Sequence, residues 1–297
     1  ACAESLSRSD YANLHLVVID NGSSDDSPEQ VRSRVSRVEM LKLDENMGYA
    51  GGNNVGVALA IQRGAKYVLI VNNDTLVAPD MLWRLVAFAE TGASAGIVGP
   101  QIRCSPKSNQ LFAQGSRIFW QQGRTRHSGM FEPITDFAHV RAPFEADFIP
   151  GCGVLIRRDV IQSTGMLDES YFLNFEDVEF AVRARIQGFG SWVVPSALMW
   201  HKISSTLGRG SPSNTYYATR NSLRFFMTNG PRSTRLVAST RIIARTLRTY
   251  TAWSLKSNYR TAGYSKRRVA NLYALRDFFT GRSGKMGADV NRAIAEA

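Results

Sequence analysis

Residues 14–25 have the sequence LHLVVIDNGSSD, and residues 67–75 have the sequence YVLIVNNDT. In each stretch a run of mostly apolar residues ends abruptly in Asn, Asp, Gly or Ser, which is typical of a buried strand followed by a turn. Ligands of parallel sheets bind at the carboxyl ends of the strands. A functional site is therefore expected where these two strands end.

Strands alternate with helical patterns through most of the first 200 residues. The predicted strands are 14–19, 38–43, 67–71, 96–102, 153–156 and 191–194, and the predicted helices are 28–37, 51–64, 79–91 and 176–188. This alternation is typical of βαβ units and predicts an α/β fold with a mostly parallel sheet flanked by helices. Residues 105–147 have no clear period and are expected to form loops and short strands over one edge of the sheet.

Composition bounds the class of protein. With 297 residues, 44% of them hydrophobic and 21% charged, the chain can bury a large core, which excludes wholesale disorder. Cys2, Cys104 and Cys152 are too scattered for a disulfide framework or a structural zinc site. No apolar stretch reaches the roughly 18 residues that span a bilayer. We expect a cytoplasmic protein, soluble or peripheral on the inner face of the plasma membrane.

The basic residues are concentrated near the C-terminus. Residues 200–297 contain 18 basic residues (Lys and Arg) and 3 acidic residues, whereas residues 1–199 contain 18 basic and 22 acidic residues. Arg241, Arg245 and Arg248 fall on one helical stripe beside apolar side chains. This pattern suits a helix lying on an anionic membrane surface, and it equally suits a helical cap with its arginines in solvent. No recognised fold or base-stacking motif supports a nucleic-acid partner.

Acidic residues follow two predicted strands and open one predicted helix. They are Asp20, Asp74 and Asp177, and each alone has a structural explanation in turn formation or helix-end electrostatics. The glycine-rich turn 46–56 lacks the G-x-G-x-x-G spacing and the P-loop lysine, and a lone histidine such as His201 is more often structural than a ligand. Three carboxylates expected on one rim are nevertheless better explained by a shared site.

These residues resemble the family-2 glycosyltransferases of GT-A fold, most closely the bacterial rhamnosyltransferase-like branch. The matching stretches are VVIDNGSSD at 17–25, NMGYAGGNNVG at 46–56, VNNDT at 71–75 and GMLDESYFLNFEDVE at 165–179. His201 with Ser204–Ser205, Arg220–Asn221 and GRSG at 281–284 also match. The resemblance covers almost the whole chain and is specific for the family, although not for a donor sugar.

The resemblance implies a nucleoside-diphosphate sugar as donor. Asp20 would accept the imide N–H of uracil or thymine, and the remaining donor contacts would be Gly22, Ser23, Gly52, Asn54, Asn73 and Asp74. Asp74, with His201 as a further contact, would hold Mg²⁺ or Mn²⁺ against the diphosphate. Asn72 stands where many relatives carry the first Asp of an Asp-x-Asp motif, so the metal site has one negative charge fewer.

The same resemblance implies a general base on the acceptor side. Asp177 would remove the proton from the acceptor hydroxyl, with inversion at the anomeric carbon, and its place at a helix start is expected to favour its ionised form. Glu176 would orient the acceptor or hold Asp177 in place. Residues 151–153 would line the acceptor side, with Cys152 as a packing residue.

The sequence thus predicts an inverting, metal-dependent glycosyltransferase with a catalytic domain at residues 1–200 and a basic, mainly helical segment at 201–297. The expected reaction moves rhamnose or a similar deoxyhexose to a saccharide or polyprenyl-diphosphate-linked saccharide during synthesis of a cell-surface polysaccharide. The alternative is a catalytically inactive, membrane-associated scaffold of the same fold. Relatives begin with a strand before the segment that matches residues 1–6, so the natural protein is expected to be longer at its N-terminus.

Overall fold

A computed structural model describes residues 1–92, 94–202, 210–259 and 261–297. The described strands are β1 (Val17–Asp20), β2 (Glu39–Lys42), β3 (Tyr67–Val71), β4 (Thr75–Val77), β5 (Ala95–Arg103), β6 (Leu111–Ala113), β7 (Ser116–Phe119), β8 (Arg124–His127), β9 (Phe144–Ala146), β10 (Gly153–Arg157) and β11 (Gly190–His201). The described α-helices are α1 (Cys2–Ser7), α2 (Ser27–Arg34), α3 (Gly48–Gln62), α4 (Met81–Ala89), α5 (Arg158–Thr164), α6 (Glu176–Ile186), α7 (Pro212–Asn229), α8 (Arg235–Leu255), α9 (Ala262–Phe279) and α10 (Ala288–Glu296).

The sheets confirm the predicted α/β class. Seven strands form the main sheet, in the order β3-β10-β5-β11-β4, with β6 on β5 and β9 on β11, while β1 and β2 form a separate parallel pair. β5 and β11 are parallel, but β10 runs antiparallel to both β3 and β5. The main sheet is therefore mixed, because the chain returns after residues 105–147 in the opposite direction and inserts β10 between two earlier strands.

The segment 105–147 contains short strands, as predicted. β7 and β8 pair as an antiparallel hairpin, whereas β6 and β9 join the main sheet. The aromatic ring of Trp120, in the turn after β7, stacks on Phe225 of α7 with ring centroids 5.5 Å apart. This segment therefore links the sheet to the C-terminal helices.

The C-terminal helices pack on one another and on the sheet domain. Ala238 and Ile242 on the inner face of α8 are buried in the main core. Arg241 donates to the carbonyl of Gln121, and Arg245 donates to the carbonyl of Gly123. Two arginines of the predicted stripe thus hold a turn of the sheet domain. Among the described residues, no helix is long and apolar enough to cross a membrane.

The start of α3 lies in tight contact with the loop before α6. Gly48 has φ +76°, and a Cβ at this position would overlap the carbonyl oxygen and ring of Phe172. The next backbone N–H, of Tyr49, donates to that same carbonyl at 2.6 Å. The close approach is possible because residue 48 is glycine.

We expect Gly48→Ala to lower the free energy of unfolding by more than about 1 kcal/mol, because alanine resists positive φ and its methyl group would push the two segments apart. Gly92→Ala is the matched control, since a Cβ there meets no atom within 4 Å. Thermal and denaturant unfolding measure both variants. Equal stabilities for the two would contradict the importance of this contact.

Candidate active site

The end of β1 is fastened to the start of α3 through Asn21. Its Nδ2 donates to the carbonyl of Gly48 at 2.8 Å, and its Oδ1 accepts the N–H of Met47 at 2.9 Å. A Cβ on Gly52 would come within 2.8 Å of the Asn21 amide nitrogen. The structure therefore places the start of α3 directly beside the end of β1, and most of the glycine-rich stretch 46–56 belongs to this helix.

Asp20 lies at this junction with its carboxylate held by its own turn. Oδ1 accepts the backbone N–H of Ser23 at 2.8 Å. Hydrogen bonds from the backbone N–H and the hydroxyl of Ser23 lower the pKa of Asp20, so the buried carboxylate stays ionised at neutral pH. Gly22 (φ +75°) and Ser23 are exposed beside it. An ionised acceptor with exposed neighbours suits a ligand that presents an N–H.

Asn54 is placed differently from the other residues of the turn. Its Nδ2 donates to the carbonyl of Leu167 and to Oε1 of Glu169, both at 2.9 Å, and its Oδ1 accepts the N–H of Leu167 at 3.1 Å. The side chain is buried. Asn54 therefore holds α3 against the loop at 167–169, and both protons of its amide are already donated within the protein.

Asp74 and His201 meet where β4 pairs with the end of β11. Strand β4 pairs with the end of β11 so that Thr75 lies opposite His201. Nε2 of His201 is 3.2 Å from Oδ1 of Asp74, and the imidazole packs edge-on against Phe112, with centroids 4.5 Å apart. Asn73 is exposed beside them. Ser204 and Ser205, which the resemblance adds to this group, lie outside the described residues.

The Asp74–His201 pair has the chemistry of a partial metal site. A carboxylate and an imidazole converge there, which suits Mn²⁺ better than Mg²⁺, because Mg²⁺ strongly prefers oxygen ligands. No cluster of three or more His, Cys, Asp or Glu side chains suited to a metal occurs in the described part of the chain. Asp74 and His201 would supply two ligands, and a bound diphosphate and water would supply others.

Glu176 and Asp177 open α6, as predicted, and burial raises the pKa of both side chains. Asp177 accepts the N–H of Gly151 at 2.9 Å and the N–H of Val178 at 2.8 Å. Burial nevertheless raises the pKa of Asp177, and these hydrogen bonds offset only part of the rise. Burial, followed by the charge of Asp177, raises the pKa of Glu176 to about 8. At Asp177, burial therefore opposes the effect of the helix start, which favours the ionised form.

The turn at residues 150–153 contacts both the end of β3, which leads to Asp74, and Asp177. The N–H of Asn72, at the end of β3, donates to the carbonyl of Cys152 at 3.1 Å, while the N–H of Gly151 binds Asp177. Burial raises the pKa of the Cys152 thiol, and the charges of Asp177 and Asp74 raise it further. Asp74 and Asp177 are thus both near one turn, and Cys152 is a protonated packing residue.

Tyr49 is a site residue that the sequence analysis did not single out. Its hydroxyl donates to the carbonyl of Gly151, the residue whose N–H holds Asp177. Tyr49, Gly151 and Asp177 also line a small cavity whose walls are mainly apolar, including Ile149 and Phe180. This environment explains why burial dominates at Asp177. The signal in the sequence is an aromatic residue placed within a glycine-rich turn, where small or polar residues are the rule.

Comparison with known proteins provides independent evidence. The sequence model of the family described as "Glycosyl transferase family 2" matches residues 1–165. The dTDP-rhamnosyl transferase RfbF of Shigella flexneri is 22% identical over 228 residues, which are 73% of this chain and 72% of that protein. The N-acetylglucosaminyl-diphospho-decaprenol L-rhamnosyltransferase of Mycobacterium tuberculosis is 28% identical over 225 residues, 71% of this chain and 73% of that protein. These similarities do not favour an inactive scaffold.

Solved structures share the fold at low sequence identity. The mannosyltransferase PcManGT from Pyrobaculum calidifontis, in complex with GDP-Man and Mn²⁺, has a TM-score of 0.54 and 15% identity, covering 94% of this chain and 82% of that one. TarS 1-349 of S. aureus, in complex with UDP-GlcNAc, has a TM-score of 0.53 and 16% identity, covering 95% and 76%. The similarity confirms the GT-A-like fold.

The raised pKa of Glu176 predicts a specific pH dependence of stability. In the unfolded chain its pKa returns to about 4.5, so the folded state loses stability as pH rises from about 4.5 to about 8. The loss is on the order of a few kcal/mol and is complete above the higher value. We expect Glu176→Gln to remove much of this loss, and Glu29→Gln, on the exposed face of α2, to change little. The melting temperatures of the wild type and both variants are measured between pH 5 and pH 9. Parallel curves of melting temperature against pH for the wild type and Glu176→Gln would contradict the predicted pH dependence.

Proposed function

The chain belongs to glycosyl transferase family 2, and on that premise we propose that it transfers rhamnose or a similar deoxyhexose from a thymidine or uridine diphosphate donor. The observation that carries the proposal is that Asp74 and Asp177 both lie near the turn at residues 150–153, with Asp74 beside His201 and Asp177 at the start of α6. The rhamnosyltransferase names of two relatives support the choice of sugar.

We place the donor at the ends of β1 and β3. The ionised carboxylate of Asp20 would accept the imide N–H of the base, and the exposed Gly22, Ser23 and Asn73 would face the donor beside it. Gly52 contributes by letting the glycine-rich turn approach Asn21. Asn54 has no donor contact in this proposal, because both of its amide protons are donated to the loop at 167–169.

Asp74 and His201 would hold a divalent cation, Mn²⁺ or Mg²⁺, against the donor diphosphate. When bound, such an ion stabilises the negative charge that develops on the leaving nucleoside diphosphate. The similar mannosyltransferase structure is a complex with GDP-Man and Mn²⁺, which supports this part of the proposal. Two protein ligands are few, so metal binding is expected to depend strongly on the nucleotide.

Asp177 would serve as general base. The acceptor hydroxyl loses its proton to Asp177 as its oxygen bonds to the anomeric carbon, and the bond from that carbon to the diphosphate oxygen breaks on the opposite face. Inversion of configuration follows from this geometry. A carboxylate with a raised pKa is a better base near neutral pH. Glu176, with a pKa of about 8, is mostly protonated at pH 7 and could donate a hydrogen bond that orients the acceptor.

The proposed acceptor is a saccharide, or a saccharide linked to a polyprenyl diphosphate, in the synthesis of a cell-surface polysaccharide. The decaprenol-linked substrate in the name of the mycobacterial relative supports a lipid-linked form. The outer face of α8 supports it as well, because Leu236 and Leu255 are each 72% exposed and Leu247 is 46% exposed. Arg248 is exposed on the same helix. This α8 surface, Leu236, Leu247, Arg248 and Leu255, suits the interface of an anionic membrane.

Replacing Asp177 by Asn tests the proposed base. We expect the transfer rate to fall by a factor of about 100 or more, the usual contribution of a general base, while the affinity for thymidine diphosphate with Mn²⁺ is retained. Transfer from a panel of thymidine and uridine diphosphate sugars is measured by product formation. Asp80→Asn, at the start of α4, is the matched control and should keep full activity. Full activity of Asp177→Asn would exclude Asp177 as the base.

Sedimentation with vesicles tests the α8 surface. We expect the protein to pellet with phosphatidylglycerol vesicles at low salt and to be released at high salt, because exposed charges are screened. Leu247→Glu with Leu255→Glu should reduce pelleting, whereas Ile186→Glu, on the exposed face of α6, should not. Absence of pelleting at low salt would remove the membrane from the proposal.

A further inference from the structure

The loop that precedes α6 has an unfavourable backbone conformation. Phe172, Asn174 and Phe175 have φ of +62°, +68° and +76°, values that L-residues adopt at a cost of roughly 1 kcal/mol or more each. Phe175 is the residue immediately before Glu176. The direction in which α6 presents its first two carboxyl groups therefore depends on a loop that needs outside support.

Asn221 provides much of that support. This residue of α7 is completely buried. Its Nδ2 donates to the carbonyls of Tyr171 at 2.7 Å, Leu173 at 2.8 Å and Asn174 at 3.0 Å. The amide has two protons, so three acceptors share them. One side chain thus fixes three carbonyls along the strained loop.

Arg220 fixes the orientation of the Asn221 amide. Its Nε donates to Oδ1 of Asn221 at 3.0 Å, so the oxygen faces the guanidinium and the NH₂ group faces the loop. The same guanidinium donates to the carbonyl of Gly284 at 2.8 Å and to the hydroxyl of Tyr216 at 3.1 Å. Tyr216 in turn donates to Asp277 at 2.7 Å. This buried network ties Asn221 to both α9 and the segment that follows it.

The segment after α9 also contacts the loop directly. The N–H of Gly284 donates to the carbonyl of Ser170 at 2.6 Å. The neighbouring Lys285 forms an ion pair with Glu45 at 2.7 Å, and a Cβ on Gly22 would come within 2.8 Å of the Glu45 backbone. The described C-terminal residues therefore contact both the segment that leads into this loop and the segment that leads into α3.

We propose that Asn221 is a positioning residue for transfer: through the carbonyls of residues 171, 173 and 174, it holds the loop in the one conformation that places Glu176 and Asp177 for the acceptor. Arg220 keeps the Asn221 amide in the required orientation. The expected effect on the transfer rate rests on the proposed function. The expected effect on the conformation of the loop does not. Without Asn221, three carbonyls lose a buried donor, and such losses are large enough to release the strained loop.

The experiment compares Asn221→Ala and Asn221→Asp with Asn271→Ala. The aspartate keeps the size of asparagine but offers no amide protons to the three carbonyls, so it should behave like alanine. Asn271 is a buried asparagine of α9 that accepts from Thr219 at 2.9 Å, and within the described part of the chain its side chain forms no hydrogen bond with the loop at 171–175. It controls for the general loss of a buried amide.

Hydrogen–deuterium exchange provides the structural measurement. We expect both Asn221 variants to exchange at least about 10-fold faster over residues 171–178, with no change over residues 67–77 on the donor side. The Asn271→Ala protein should show the wild-type rate over 171–178. Unchanged exchange over 171–178 in both Asn221 variants overturns the proposal.

Kinetics provide the functional measurement. We expect kcat to fall by about 10- to 100-fold, as displaced catalytic groups do, while KM for the donor changes by less than about 3-fold, because the donor side is untouched. A raised KM with unchanged kcat overturns the positioning role. If wild-type protein transfers none of the tested sugars, the proposed function fails while the exchange measurement still decides the structural claim.

Should Asn221→Ala and Asn221→Asp not fold, Arg220→Lys replaces them. Faster hydrogen–deuterium exchange over 171–178 is then expected, and an unchanged exchange rate contradicts the proposal.

Discussion

The backbone of Gly151 joins the two sides of the candidate site. Its N–H donates to Asp177 at the start of α6, and its carbonyl accepts from Tyr49 at the start of α3. A Cβ on residue 151 would collide with the Tyr49 hydroxyl, so glycine is required for this contact. Because the turn leads directly into β10, between β3 and β5, any shift of that strand would move the proposed base relative to Asp74.

Local environment separates the roles of three carboxylates. Hydrogen bonds from Ser23 lower the pKa of Asp20, whereas burial raises the pKa of Asp177 and of Glu176. The lowered pKa suits a permanently ionised hydrogen-bond acceptor, and the pKa of about 8 suits Glu176 to proton exchange near neutral pH. Solvation and hydrogen bonding thus shift the pKa values of two aspartates, Asp20 and Asp177, in opposite directions.

The features that the sequence predicts well are local ones. The apolar runs ending in Asp20 and in Asn72–Asp74 locate two strand ends, and the acidic pair Glu176–Asp177 locates the start of α6. Contacts between distant segments are not encoded locally. Asn54 and Gly52 belong to one glycine-rich turn, but only the three-dimensional packing shows that Asn54 faces the loop at 167–169 while Gly52 faces Asn21. The antiparallel insertion of β10 is likewise hidden, since residues 105–147 have no period from which its direction could be inferred.

Several of the basic residues in the C-terminal segment form internal contacts and are less free to bind an anionic partner. Arg220 is buried in the network around Asn221, Arg241 and Arg245 hold carbonyls of the turn at 121–123, and Arg276 pairs with Asp277 and Asp289. A guanidinium bonded in this way stabilises the packing of the segment on the sheet domain and is less free to contact an anionic partner directly. The segment therefore has two distinct parts, because Arg220 and Asn221, which contact the loop before α6, are buried, whereas the leucines of the α8 surface are exposed.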